Sequence, residues 1–433
     1  MNILVVGSGA REHVLVWKIA QSAKGDGIYC APGNAGTGKI GQNMAISQTD
    51  IPALVKAARV NKIDLVVVGP EDSLALGIVD QMQCAGIAAF GPTQSAARIE
   101  TSKIFAKDLM TKYKIQNSPG ATFDYYADAK NYVQTLSAPP VIKADGLAAG
   151  KGVVVCKTIE EALETLYKFM VERSLKDAGK RVIVEDRVYG NEVSAMCFTD
   201  GKTVIPLVSA CDYKRAYDGD KGSNTGGMGS YSPSAFITKD FFKDTANRIL
   251  SSAVKAMMRE GRPYQGVLNG GLILTDRGLK VLEFNARFGD PETQVQLPLL
   301  RSDLVDIMTA VVNGTLGDVS VEWSDESCVG VVMASEGYPG DYKKSLGASI
   351  SGLDDIDKDV LVFHAGTKKL SDSTIVTNGG RVLTVVATGK TPEKARFKAY
   401  DNVRRISFKG CHFRTDIAEH WFSDFKTSIR GKG

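Results

Sequence analysis

The sequence predicts a multidomain chain, α/β at its N-terminal end and α+β beyond it. Three patterns carry that expectation. Short β-branched runs alternate with helical stretches up to about residue 100, a turn-linked pair of strand patterns runs into a polar cluster near residue 285, and the patterning changes again after about residue 325. At 433 residues the chain also exceeds what one hydrophobic core usually organises. The expected units are therefore 1–100, 101–325 and 326–433.

Bulk properties narrow the class. With 43% hydrophobic and 24% charged residues the composition is that of an ordinary globular protein. A net charge of +4, from 53 basic and 49 acidic residues, is too small to announce a nucleic-acid partner. The seven cysteines are scattered, odd in number and free of any C-x-x-C pair, as expected of reduced residues in a cytoplasmic protein. The opening apolar run stops at Gly7 and lacks a basic leader, so no signal peptide is expected. No apolar stretch reaches the roughly 18 residues of a membrane span.

In the first unit, residues 3–6 and 65–68 read as strands and 11–23 and 51–60 as helices, the pattern of βαβ units in a parallel sheet. Gly7-Ser8-Gly9, Gly69-Pro70-Glu71 and Gly91-Pro92-Thr93 follow strand ends, where such sheets collect ligands. The turn at Gly9 favours an anion through free backbone N–H groups and the helix dipole. A dinucleotide fingerprint would place a third glycine where Glu12 stands and an acid after the second strand, which instead ends in Ala31-Pro32-Gly33-Asn34. An oxidoreductase is disfavoured on that ground.

The second unit begins with a helical pattern at 101–114 and continues with strand patterns at 140–143, 153–156 and 181–185. Lys143 precedes a glycine-rich turn containing Gly150 and Gly152, either a phosphate cradle or a flexible surface hairpin. Glu185 and Glu192 flank a short linker suited to an adenosine, or to solvent alone. The stretch from Asp212 to Tyr231 is a long polar loop, a lid over substrate or a disordered segment. Residues 267–274 and 279–284 read as a hairpin closed through Gly278. On its second strand Glu283 and Asn285 share a face, offering hard oxygens suited to magnesium. Arg287 follows, placed to neutralise charge on a transferring phosphoryl group.

In the third unit, 327–334, 361–365 and 382–388 read as strands and 391–406 as a helix. His364 to Lys368 and Thr377 to Arg381 each join glycine to a cation and could clamp a second phosphate. His13, His412 and His420 show no metal-ligand spacing.

Taken in order, these motifs resemble the ATP-grasp superfamily and, more closely, the glycinamide ribonucleotide synthetase (phosphoribosylamine-glycine ligase) family. The resemblance runs nearly end to end. It is carried by GSGAREH at 7–13, GPE at 69–71, Ser102-Lys103, residues 141–152, NTGGMG at 224–229, EFNARFGDPE at 283–292, GYPGDY at 337–342, residues 364–368 and residues 378–381. It implies an ATP-grasp fold, with a pre-ATP-grasp domain at 1–100, an ATP-grasp domain at 101–325 containing a small lid subdomain at about 121–188, and a C-terminal domain at 326–433.

The resemblance further implies that ATP lies between two antiparallel sheets, with Lys103, Lys143, Gly150 and Gly152 at its phosphates, Glu185 to Val188 at adenine and Glu192 at ribose. Glu283 and Asn285 would hold Mg²⁺ or Mn²⁺. Glycine would be phosphorylated to glycyl phosphate and attacked by the amine of 5-phosphoribosylamine. Arg287 would stabilise the transferring group, with Asp290 or Glu292 orienting or deprotonating an amino group. Gly9, Glu12, Glu71, Asp212, Lys214, Thr225, Gly226, Gly227, Lys368 and Arg381 would contact the substrates. A monomer is expected, with small-molecule substrates, no nucleic acid and no membrane.

The sequence departs from the family pattern in two places. Gly270 and Gly271 stand where many ATP-grasp enzymes carry a further acidic metal ligand, and Arg187 stands where an apolar or aromatic neighbour of adenine is expected. The rival readings are a sibling ATP-grasp ligase, which would share the lysines and the Glu-x-Asn pair, and a nucleotide sensor, which the presence of Arg287 and the metal pair disfavours.

Overall fold

The computed structural model describes residues 1–421 apart from Ala149, Thr238 and His420; the remainder of the C-terminal unit assigned from sequence, 422–433, lies outside the described residues, as does His420. No described helix is long and apolar enough to cross a membrane.

Strands Gln42–Asn43, Gly27–Pro32, Asn2–Gly7, Leu65–Val68 and Ala88–Phe90 lie in that order in one all-parallel sheet. Ile3, Leu4, Val5 and Val6 are fully buried, as a strand covered on both faces requires. Because the chain winds outward from Asn2–Gly7 in both directions, the strand order reverses between that strand and Leu65–Val68. Their carboxyl ends therefore open a crevice, and Gly9 and Glu71 stand at its mouth.

Two antiparallel sheets face this crevice. The smaller orders Gly120–Phe123, Val182–Glu185, Val141–Ala144 and Val153–Val155. Helices Tyr126–Gln134 and Ile159–Met170 cover it, burying Ala129, Val133, Ala162 and Leu166 in a separate core. The larger orders Val204–Pro206, Asn191–Thr199, Gly266–Thr275 and Gly278–Asn285. Its last two strands are the hairpin read from sequence, and Gly278 takes the left-handed φ of +97° that closes it.

The helical pattern over 101–114 is in fact broken. Gln94–Thr101 and Lys103–Lys112 are separate helices because Ser102 is extended and caps the second, its Oγ accepting from Phe105 N–H. Asp145, from another strand's end, accepts from Ser102 Oγ at 2.8 Å and Ile104 N–H at 2.9 Å.

A further sheet orders Cys211–Asp212, Gly229–Ser232, Ser327–Ala334, Arg381–Gly389 and Val360–His364, backed by helix Pro392–Val403. It joins strands from both sides of residue 326. The long polar loop is thus largely built structure: Arg215–Tyr217 pairs with Lys221–Asn224, and the C-terminal segment pins it. Arg414, buried at 1% exposure, donates to Asp220 at 2.8 Å and to Asp416, and Asp416 accepts from Gly219 N–H.

Candidate active site

The crevice and the two antiparallel sheets enclose one cleft of about 1250 Å³. Nearly every residue singled out from sequence lines it. Two do not. Gly227 (φ +106°) packs behind the wall, where an added Cβ would meet Pro291 Cδ at 2.3 Å, and Lys368 is exposed on strand Thr367–Lys369.

At the crevice mouth, Glu12 is committed to the protein. It accepts from Gly9 N–H at 2.6 Å and from Arg11 Nε at 2.6 Å, shaping the turn that presents Gly9. A Cβ at Gly69 would fall 2.0 Å from its carboxylate, so a glycine there is a packing requirement. Glu71 pairs with Arg287 Nε at 3.0 Å. Burial would raise its carboxyl, but Arg287 and Arg11 outweigh that and hold it down to about 2.

On the sheets, strand Val141–Ala144 delivers Lys143 to the floor. Its Nζ pairs with Glu185 at 2.6 Å and donates to Leu282 O at 2.8 Å. That carbonyl is free because the hairpin has a bulge: Gly271 pairs with Glu283, but Leu272 pairs with Val281. Glu185 is also gripped by Lys107 at 2.9 Å, so its side chain is not left to read a base. Arg187, where an apolar or aromatic residue was expected, stacks on Tyr189 with its Cζ 4.7 Å from the ring centroid, and both line the cleft.

Beyond the bulge, Glu283 and Asn285 project together. Burial would raise Glu283, but Lys214, Lys103, Lys143 and Arg287 all face it and hold it below the usual carboxylate range. Such a concentration of cations around one carboxylate suits a polyphosphate with its metal. Asn285 Oδ1 has only a long 3.5 Å approach from Arg287 Nη2, leaving it able to ligate. Among the described residues no group of three or more His, Cys, Asp or Glu could hold a metal alone. One carboxylate and one amide oxygen nevertheless fit Mg²⁺, which usually keeps waters and substrate phosphates as its remaining ligands.

Arg287 is fixed by Glu71 and by Glu100, whose Oε1 lies 3.3 Å from Nη2. Asp290 pairs with Arg381 at 2.7 Å and accepts from Gln294 at 2.7 Å. Against the effect of burial, Arg381, Arg11 and Gln294 hold its carboxyl below the usual carboxylate range. Glu292 accepts from Ser194 Oγ at 2.7 Å. Asp212 differs: burial pushes it up to about 7, with Glu292, Glu192 and Glu283 adding to the rise and Lys214 opposing it. Lys214 also pairs with Glu192 at 2.7 Å. Thr225 Oγ1 donates to Lys214 O, and Arg381 donates to Gly226 O at 2.6 Å, so the NTGGMG turn is tied to the same cluster.

Glu100 and Lys107 were missed from sequence. Glu100 sits among Ala96, Ala97 and Ile99 on a buried helix face and accepts from Ala286 N–H at 2.7 Å; Lys107 lies one turn beyond Lys103. An acid or a lysine on an otherwise apolar helix face is the signal that marks both.

Comparison with known proteins gives a consistent result. Residues 1–100 match the family model described as phosphoribosylglycinamide synthetase, N domain; 101–293 match its ATP-grasp (A) domain and 328–420 its C domain. The chain is 47% identical over 417 residues to a phosphoribosylamine–glycine ligase from Halalkalibacterium halodurans, covering 96% of each. It is 48% identical over 421 residues to the trifunctional purine biosynthetic protein adenosine-3 of Gallus gallus, covering 96% of this chain and 42% of that one. Among solved structures, the phosphoribosylamine–glycine ligase of Thermotoga maritima superposes with a TM-score of 0.84 at 34% identity, covering 96% of this chain and all of that one. A biotin carboxylase from Campylobacter jejuni, at 15% identity and a TM-score of 0.74 over 99% of this chain and 96% of that one, shares the fold.

Proposed function

The chain belongs to the phosphoribosylglycinamide synthetase family, and on that premise we propose how its cleft does the work. The reaction is the ATP-dependent joining of glycine to 5-phospho-D-ribosylamine through glycyl phosphate, giving N1-(5-phospho-D-ribosyl)glycinamide, ADP and phosphate in the second step of purine (IMP) biosynthesis.

A carboxylate is a poor electrophile until phosphorylation turns one of its oxygens into a leaving group, so the protein's task is positioning and charge stabilisation. We assign Lys103, Lys143, Gly150 and Gly152 to the ATP phosphates, the Glu185 to Val188 backbone to adenine, and Glu192 to ribose. The observation that carries this reading is the convergence of four cations on Glu283 beside Asn285. Glu283 and Asn285 would hold Mg²⁺ or Mn²⁺, which when bound neutralises charge between the phosphates. Arg287, fixed by two carboxylates, faces the transferring phosphoryl group and the acyl phosphate.

Asp290 is held too acidic for a base and acts by orientation, with Arg381. Asp212 is the proton acceptor for the attacking amine, since its carboxyl is poised near neutrality. Gly9, Glu71, Thr225 and Gly226 frame the substrate end, Glu12 and Gly227 shape it from behind, and Glu292 and Lys214 tune Asp212. Lys368, outside the cleft wall, would reach the ribose phosphate only from the third unit's edge. The units 1–100, 101–325, with its lid at about 121–188, and 326–433 would together form a cytoplasmic monomer.

The direct test is ADP release from ATP and Mg²⁺ with glycine, with and without fresh 5-phosphoribosylamine, and product mass determination. ADP formation that depends on both substrates, with the glycinamide ribonucleotide as product, supports the assignment. Turnover only with another carboxylate or amine would refute it.

A further inference from the structure

Five described residues bury a side-chain oxygen that meets no hydrogen-bond partner: Ser234, Asn247, Asn269, Gln294 and Gln296. Of these only Asn269 belongs to the wall of the cleft. Its side chain is buried, at 3% exposure, and its Oδ1 is the unpartnered atom. A buried amide oxygen is rarely left unpaired, so its retention asks for an occupant.

Its position says which. Strands Gly266–Thr275 and Gly278–Asn285 pair Asn269 directly with Asn285 and Gly271 with Glu283, before the bulge disturbs the register. Paired residues project to the same face, and alternate residues along a strand share it, so Asn269, Asn285 and Glu283 form one row of oxygens. Gly271 adds no side chain to that row. Opposed β-carbons lie about 5 Å apart, and two short amides so placed can bring their oxygens to the roughly 3 Å separation of neighbouring ligands on an octahedral ion. Presented through its oxygens, the row repels a phosphate oxygen and suits a hard cation.

We propose that Asn269 Oδ1 is a further protein ligand for the divalent cation held by Glu283 and Asn285, on the side towards Arg287. The inference rests on the reading of Glu283 and Asn285 as the metal pair.

The test compares Asn269→Leu, Asn269→Asp and Glu283→Gln with the parent by electron paramagnetic resonance titration of Mn²⁺, in the presence of β,γ-imido ATP. Thermal melts without metal accompany it. Asn269→Leu should weaken Mn²⁺ about ten-fold or more, and Asn269→Asp should tighten it. Because Leu removes a buried unpaired oxygen while keeping the branched shape of the side chain, that variant should melt no lower than the parent. Unchanged Mn²⁺ affinity in Asn269→Leu, with Glu283→Gln weakened, overturns the role of Asn269 alone. Unchanged affinity in both overturns the metal pair as well. A lower melting temperature for Asn269→Leu with Mn²⁺ affinity intact assigns Asn269 to the scaffold and refutes the proposal.

Discussion

Replacing Asp212 with Asn tests the proposed chemistry at the amine. Burial lifts this carboxyl to about 7, and only its ionised form can take a proton. The sign follows: activity in the amine step is present above the raised pKa and is lost as pH falls through it. At pH 6 roughly one-tenth of Asp212 is ionised and at pH 8 roughly nine-tenths, so kcat/KM for the amine should fall about ten-fold between them. Asp212→Asn should lose about 10²- to 10⁴-fold in that step and lack this acidic limb. Lys214→Met, which removes the cation opposing the rise, should move the limb to higher pH. The assay separates the half-reactions: hydroxylamine traps the acyl phosphate and reports phosphoryl transfer, while glycinamide ribonucleotide reports the amine step. Taking the ratio of variant to parent at each pH cancels titration of the amine itself. An Asp212→Asn enzyme whose amine step keeps the parental pH profile would refute the assignment.

Other expectations follow from the same contacts. Arg287→Ala should leave ATP binding intact and slow hydroxamate formation about 10²- to 10³-fold, and Arg287→Lys should not restore it, because an ammonium cannot span Glu71 and Glu100 as the guanidinium does. Intact turnover in Arg287→Ala would remove that role. Lys143→Ala should weaken ATP binding, read by calorimetry with the β,γ-imido analogue; unchanged affinity would place the phosphates elsewhere. Lys107→Met leaves the buried Glu185 with Lys143 as its remaining cation and should destabilise the protein by about 1.5–3 kcal/mol in urea unfolding, whereas no measurable loss would show the pair to be incidental. His13 and His364, which burial holds neutral down to about 3 and about 4, stay unprotonated while the unfolded chain's histidines take up protons below about 6.5. Each therefore withdraws about 2 kcal/mol of stability by pH 5. Urea midpoints in the Asp212→Asn background, which removes the opposing gain as Asp212 protonates, should fall accordingly; a flat profile from pH 7 to 5 would contradict it.

What the sequence revealed divides by range. The hairpin through Gly278 and the shared face of Glu283 and Asn285 are local matters of alternation and turn chemistry, and both were legible. The break between helices at Ser102 was not, because half its cause is Asp145, supplied 43 residues away. Nor could alternation show that Glu185 would be gripped by Lys107 and Lys143, or that Asp212 would be set among three acids while Asp290 met Arg381. Each is a tertiary pairing that shares no period with the chain. Motif order did locate these residues, but their division of labour depends on which charges the fold sets beside them.

That dependence explains why the cleft draws on all three units. Arg287, from the hairpin's end, is held by Glu71 and Glu100, both from the first unit. Asp290 is held by Arg381 from the third unit, and the strand of Asp212 is an edge of the third unit's sheet. Without Arg381, Asp290 would lose the first of the cations that hold it ionised, so its carboxyl would rise towards that of Asp212. Two competing acids would then stand where one is poised. The order of roles at the amine is therefore a property of the packed assembly, and a fragment ending before residue 326 would carry the motif residues without the electrostatics that distinguish them.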